Sequence, residues 1–194
     1  SIQQGMAEEI SFQGIVDLVG DRLRQIFNTG SVLIIWWDAA AGVAHCLYAF
    51  QGGVRVSVAP TRPNLDGAML KAFMANRPIV ANNRAEMTAL GLRTVAGTDP
   101  SLSTAQMPFF AGDRFLGTIA LDNHERENAY GEAEVRLLST VAASMGMALQ
   151  NARNFDETQR LLKETERRSS ELALINDIQH ALAAQPDFRA IVDV

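Results

Sequence analysis

Two short stretches hold the side chains whose types could do chemistry. His45 and Cys46 place an imidazole beside a thiol. A thiolate nucleophile needs its base within hydrogen-bond reach. Neighbours on a strand point to opposite faces, so these two cannot form a dyad. Cys46 then reads as a small buried hydrophobe. Asp122, His124, Glu125 and Glu127 form the polar run DNHERE. One His among solvated carboxylates is not a convergent ligand set, and the run reads as an exposed loop. The chain has no phosphate-cradling loop, no dinucleotide turn and no paired carboxylates on an apolar face. No catalytic residue and no metal ligand is assigned, and the chain is expected not to be an enzyme.

The elements that position these residues follow from patterning. Phe12, Ile15, Val16, Val19, Leu23, Ile26 and Phe27 make one helical face behind Ser11 as N-cap. Strands are expected over 31–38, 43–50 and 54–59, joined by short links as an antiparallel meander and stopped by Pro60 and Pro63. Asp66 is expected to cap a short helix over 67–76, which Pro78 prevents from continuing. A short strand over 78–81 precedes an irregular stretch, 82–102, with at most one helical turn near 86–90. Loops this long are often functional. Then come two apolar runs, 105–111 and 115–121, around the turn Ala111-Gly112-Asp113-Arg114. After Gly131, Val135, Leu138, Val141, Ala142, Met145, Leu149 and Ala152 recur at helical spacing, and Glu132 and Glu134 place negative charge at the helix start.

That last helix has no evident stop. From Glu132 to about Ala184 there is no Pro and only one Gly, Gly146. It would span roughly 80 Å. Beyond Asn151 it is charged, with Phe155, Leu162, Leu172, Ile175, Ile178 and Leu182 still apolar, an imperfect coiled coil with a stutter. The chain also repeats itself. Residues 1–7 align with 177–183 and 11–17 with 187–193, as if one unit had been cut from a tandem array. Residues 1–10 read as the end of a preceding linker helix, 11–153 as a domain, 154–185 as a coiled-coil linker, and 186–194 as the start of a next, similar domain.

The composition of 194 residues is 47% hydrophobic, enough for a core, with Asp and Glu over Lys and Arg by 22 to 17. Without a basic stripe, nucleic-acid binding is not expected. The apolar run 32–37 is too short to cross a bilayer, and no membrane role is expected. Ser1 reads as an excised start, no signal peptide is visible, and the single Cys46 fits a reducing cytoplasm.

A Pro within a strand, a Gly-Asp turn, Leu116-Gly117, Tyr130, then acids leading into Leu137-Leu138 and Asn151-Ala152 resemble, in order and spacing, the C-terminal half of a GAF domain. The resemblance reaches back to about Ser11. It implies an α+β fold: a central antiparallel sheet of about six strands flanked by helices, here with a long C-terminal coiled-coil helix. It implies a small-molecule-sensing and dimerisation module of a bacterial signalling protein. The repeat and the linker LLKETERRSSEL resemble tandem arrays in nucleotide cyclases and sensor histidine kinases. By position in that fold the ligand pocket would be lined by Trp37, Cys46, Tyr48, Val58, Met69, Phe73, Met107 and Phe109, suited to a planar apolar ligand. No cofactor is required. Bilin-binding relatives attach their pigment to a Cys, and Cys46 lacks the matching context. Cyclic-nucleotide relatives carry Asn-Lys and Phe-x-x-x-Asp-Glu, where this chain has Asn76-Arg77 and Phe109 with Asp113-Arg114. The expected partner is a second copy, in a parallel homodimer joined through helices. The alternative is a structural dimerisation spacer without a ligand.

Overall fold

The computed structural model describes residues 12–27, 29–92, 94 and 98–183. Helix α1 (Phe12–Phe27) leads into strands β1 (Ser31–Asp38), β2 (Val43–Gln51) and β3 (Val54–Arg55). Helix α2 (Ala68–Met74), strand β4 (Ile79–Ala81) and helix α3 (Arg84–Ala89) follow. Strands β5 (Ser103–Ala111) and β6 (Arg114–Asn123) then precede α4 (Glu132–Ala183). The expected cap at Ser11, the domain start at 186–194 and most of the repeat lie outside the described residues. Among the described residues, those up to Ala152 form one compact unit and those from Arg153 a second. No helix among them is long and apolar enough to cross a membrane.

Six strands form one antiparallel sheet in the order β3-β2-β1-β6-β5-β4. The centre is β1, reading SVLIIWWD, almost continuously apolar because both its faces are covered. One face packs under α1 and the start of α4. There Val32, Ile34, Ile119, Leu121, Tyr48, Met107 and Phe109 meet Val16 and Leu23 of α1 and Leu138, Met145 and Leu149 of α4. On the other face Leu33, Ala49 and Ala120 form a smaller cluster with Ile35, Cys46, Val56 and Val58.

Three details differ from the expected elements. Strand β3 ends at Arg55; Val56 still donates its N–H to the Ala49 carbonyl of β2, and the chain then meets β2 again at Thr61, whose N–H and C=O both bond Ala44. Residues 57–60 leave the edge between, and Pro60 has no N–H to give. Helix α2 has Gly67, not Asp66, at its N-cap, with no side-chain cap bond; the Asp66 carboxylate lies 3.7 Å from Lys71. Helix α3 is a full helix. Asn83 accepts the Glu86 N–H at 2.9 Å, and the Glu86 carboxylate accepts the Asn82 N–H at 2.7 Å, a reciprocal cap.

Candidate ligand pocket

A cavity of about 500 Å³ lies between the second face of the sheet and α2, α3 and the segment leading to β5. Its walls are apolar: Leu33, Ile35 and Trp37 of β1, Met69, Leu70 and Phe73 of α2, Met87 of α3 and Phe115 of β6. Residues 69, 70 and 73 share one side of a helix, so a seven-residue helix suffices to present all three. Gly117 of β6 also lines the space. A Cβ there would run into the Ile35 carbonyl, so the absent side chain lets β1 and β6 approach.

One end of the cavity is polar. Thr104 and Asp122 stand directly opposite each other across the β5–β6 pair, with Ser101 and Gln106 beside them and Thr118 four residues along β6. Thr104 is only 1% exposed, yet its hydroxyl makes no well-formed hydrogen bond, lying near the Asp122 carboxyl without good bonding geometry. Asp122 keeps part of its surface exposed, but burial pushes its carboxyl above the usual range. The nearby Thr104 hydroxyl, the His124 ring and the Ser101 hydroxyl oppose this. His124 bonds the Pro100 carbonyl through Nδ1 at 3.0 Å. A carbonyl only accepts, so Nδ1 carries a proton; Nε2 is buried without a partner. Exposed Arg84, Thr88, Thr94 and Asp99 also line the space.

The backbone of Asp122 serves a second purpose. Its carbonyl accepts the Thr29 hydroxyl at 3.0 Å, and the same Thr29 oxygen lies 3.3 Å from the Tyr130 hydroxyl. Tyr130 sits two residues before α4. Burial raises its phenol above the ordinary value, against the Thr29 hydroxyl beside it and with a further upward push from Asp122.

Of the eight residues expected to line a pocket, Trp37, Met69 and Phe73 do. Cys46 and Val58 lie on the same face but in the smaller core cluster. Tyr48, Met107 and Phe109 belong to the opposite face, packed in the α1–α4 core. For Tyr48 the physical reason is a β-bulge. Ile34 pairs with Tyr48 and Ile35 with Cys46, which leaves Leu47 extra in β2. Strict alternation would put Cys46 and Tyr48 on one face; the extra residue separates them. In β5 the alternation is regular through Met107, and Gln106 takes the cavity side. Among the residues missed were Thr104, Thr118 and Asp122 on the floor and Arg84, Met87, Thr98, Asp99 and Ser101 of the stretch before β5. The length of the 82–102 stretch was the available signal for the second group.

The run DNHERE is not uniformly an exposed loop, since Asp122 lines the cavity. Among the described residues no three His, Cys, Asp or Glu side chains are grouped to hold a metal ion. His45 and Cys46 do fall on opposite faces, paired with Trp36 and Ile35. The Cys46 thiol bonds the Tyr48 carbonyl at 3.3 Å, and burial pushes its pKa up to about 11, against that bond and Arg55.

No curated protein matches the chain by sequence. Among solved structures, the second GAF domain of DevS from Mycobacterium smegmatis superposes with a TM-score of 0.61 at 14% identity, over 76% of this chain and 99% of that one. The GAF domain of PixJ from Thermosynechococcus elongatus, in its blue-light absorbing form, gives 0.59 at 12% identity, over 81% and 96%. A far-red absorbing dark state with bound biliverdin IXa gives 0.55 at 16% identity, over 69% and 86%. At these identities the likeness is one of fold. The family model described as GAF domain matches residues 9–150, most of the chain. By that match, and by the six-stranded sheet with its flanking helices, this chain belongs to the GAF domain family.

Proposed function

We propose that this GAF domain is the ligand-sensing and dimerisation module of a multidomain bacterial signal-transduction protein, acting in the cytoplasm. The observation that carries the reading is the 500 Å³ cavity with apolar walls and one polar end. A core that served packing alone would close such a space, because voids forfeit contacts. A biliverdin-bound relative of the same fold supports the idea that the fold accommodates ligands of size. The chain itself does no chemistry in this reading: its one thiol is held protonated near neutral pH, with a pKa of about 11. Occupancy is passed through α4 to an output module of the cyclase or kinase kind, in a tandem arrangement.

Dimerisation rests on unpartnered apolar side chains. Leu18 and Ile26 on α1 and Leu137 and Met147 on α4 are exposed. Ile26 and Leu137 line one cleft of about 220 Å³ beside Phe27 and Ala133. A second copy covering these helices would form a four-helix bundle. This observation also favours the alternative of a dimerisation spacer.

A thermal-shift screen of planar and apolar small molecules, run on the native chain and on Ala120→Phe, tests the sensing reading. Ala120 lines the cavity and is buried, so a ring there should fill it. Compounds that stabilise the native chain and not the variant are the expected result. No such compound in a broad library would overturn it.

A further inference from the structure

The expected ligand was planar and apolar, but the cavity floor is not. Polar groups able to accept hydrogen bonds gather there: the Asp122 carboxyl, the hydroxyls of Ser101 and Thr104, and the Gln106 amide two residues along β5. The Thr104 hydroxyl is buried and makes no well-formed hydrogen bond, although it lies close enough to the Asp122 carboxyl to favour its charged form. Buried polar groups normally find partners, so an orphan facing a cavity points to a missing one. Asp122 forms no ion pair among the described residues. A largely desolvated carboxylate without a cation is costly, and a positive donor is its natural complement. Arg84 is on α3 and Asp99 is on the segment before β5; both are exposed and carry opposite charges. The remaining titratable neighbour is His124, whose Nδ1 is taken by Pro100.

We propose that the floor of this cavity binds a cationic nitrogen group, an amine or amidine, carried on an apolar body. The nitrogen donates to Asp122 and to the Thr104 hydroxyl. The body lies along Trp37, Phe73 and Met69, where an aromatic ring packs well. Charge-assisted donors are about twice as strong as neutral ones, and an amidinium offers two parallel N–H groups to one carboxylate. The inference rests on the ligand-sensing reading, and it adds the chemistry of what is sensed.

The test compares 2-naphthamidine with its neutral isostere 2-naphthamide, by calorimetry on the full chain at pH 7. The amidine should bind at least about tenfold more tightly. Asp122→Asn should remove that preference while the amide still binds. Thr104→Val should weaken both probes and guard against a folding artefact at residue 122. Equal binding of the two probes would overturn the cationic site and leave the sensing pocket standing. A preference kept in Asp122→Asn would likewise overturn it. Binding of neither probe would overturn the inference and count against the sensing reading as well.

Discussion

Gly146 of α4 lies directly against the backbone of Phe110 in β5. A Cβ on residue 146 would collide with the Phe110 carbonyl oxygen. The helix is therefore docked on the strand at backbone distance, at a buried position in its interior. In an exposed helix, Gly→Ala gains about 1 kcal/mol. Here Gly146→Ala should destabilise instead, by about 1–3 kcal/mol, because the helix must lift from the sheet. Chemical denaturation would measure it, and a stabilised variant would show that α4 does not dock this closely.

Thr29 and Tyr130 make a paired test. The Thr29 hydroxyl has one proton, and the Asp122 carbonyl at 3.0 Å is its nearest acceptor, so Tyr130 donates to Thr29. Tyr130→Phe removes a donor but leaves Thr29 bonded, at a cost of about 0.5–1.5 kcal/mol. Thr29→Val strands both a buried phenol and a carbonyl, so it should cost more, about 1–3 kcal/mol. Equal losses in the two variants would contradict this direction of donation.

Asp122 gives a pH signature. Its folded carboxyl titrates above the unfolded value of about 3.9. The folded state then binds more protons between the two values, so stability falls as pH rises through that window. Asn does not titrate. The melting temperature of Asp122→Asn should therefore rise relative to the parent as pH increases above about 4 and approach it in acid. A gap that is flat or shrinks with pH would mean that burial does not govern this carboxyl.

Cys46 should label slowly. With its thiol pKa near 11 and its proton donated to Tyr48, little thiolate exists at pH 8. Disulfide-reagent labelling should be many-fold slower in the native chain than in urea. Comparable rates would mark an accessible, reactive thiol.

Dimerisation is testable by sedimentation. Leu162 and Leu172 are half exposed or more in α4. The intact chain should be dimeric at tens of micromolar, where associations of micromolar dissociation constant are populated. Truncation after Asn154, or Leu162→Lys with Leu172→Lys, should shift it toward monomer. A monomeric intact chain at that concentration rules out the proposed interface.

Much of the fold was legible because its signals are periodic. The apolar stripe from Val135 to Leu149 marked α4, and continuous apolar runs marked β1 and β6. The pocket was less legible, because face assignment by alternation fails at a single inserted residue. Leu47 carries no mark that distinguishes a bulge from an ordinary strand position. The polar floor was hidden for another reason: Thr104 and Asp122 are 18 positions apart and meet only through the hairpin register. Asp122 stood next to His124 and two glutamates, which made it look like part of a solvated loop. Helix α3 was underestimated because its stability comes from the Asn83–Glu86 cap rather than from an apolar stripe.

Residue 122 divides its duties between side chain and main chain. The carboxyl furnishes the cavity; the carbonyl holds Thr29 and, through it, Tyr130 at the threshold of α4. A main-chain oxygen is present whatever side chain the position carries. The joint is therefore indifferent to the identity of residue 122, and the specificity of the cavity can drift in evolution or be rewritten by design without dismantling it. In this fold the vocabulary of the pocket and the grammar of its attachment are encoded at one position by different atoms.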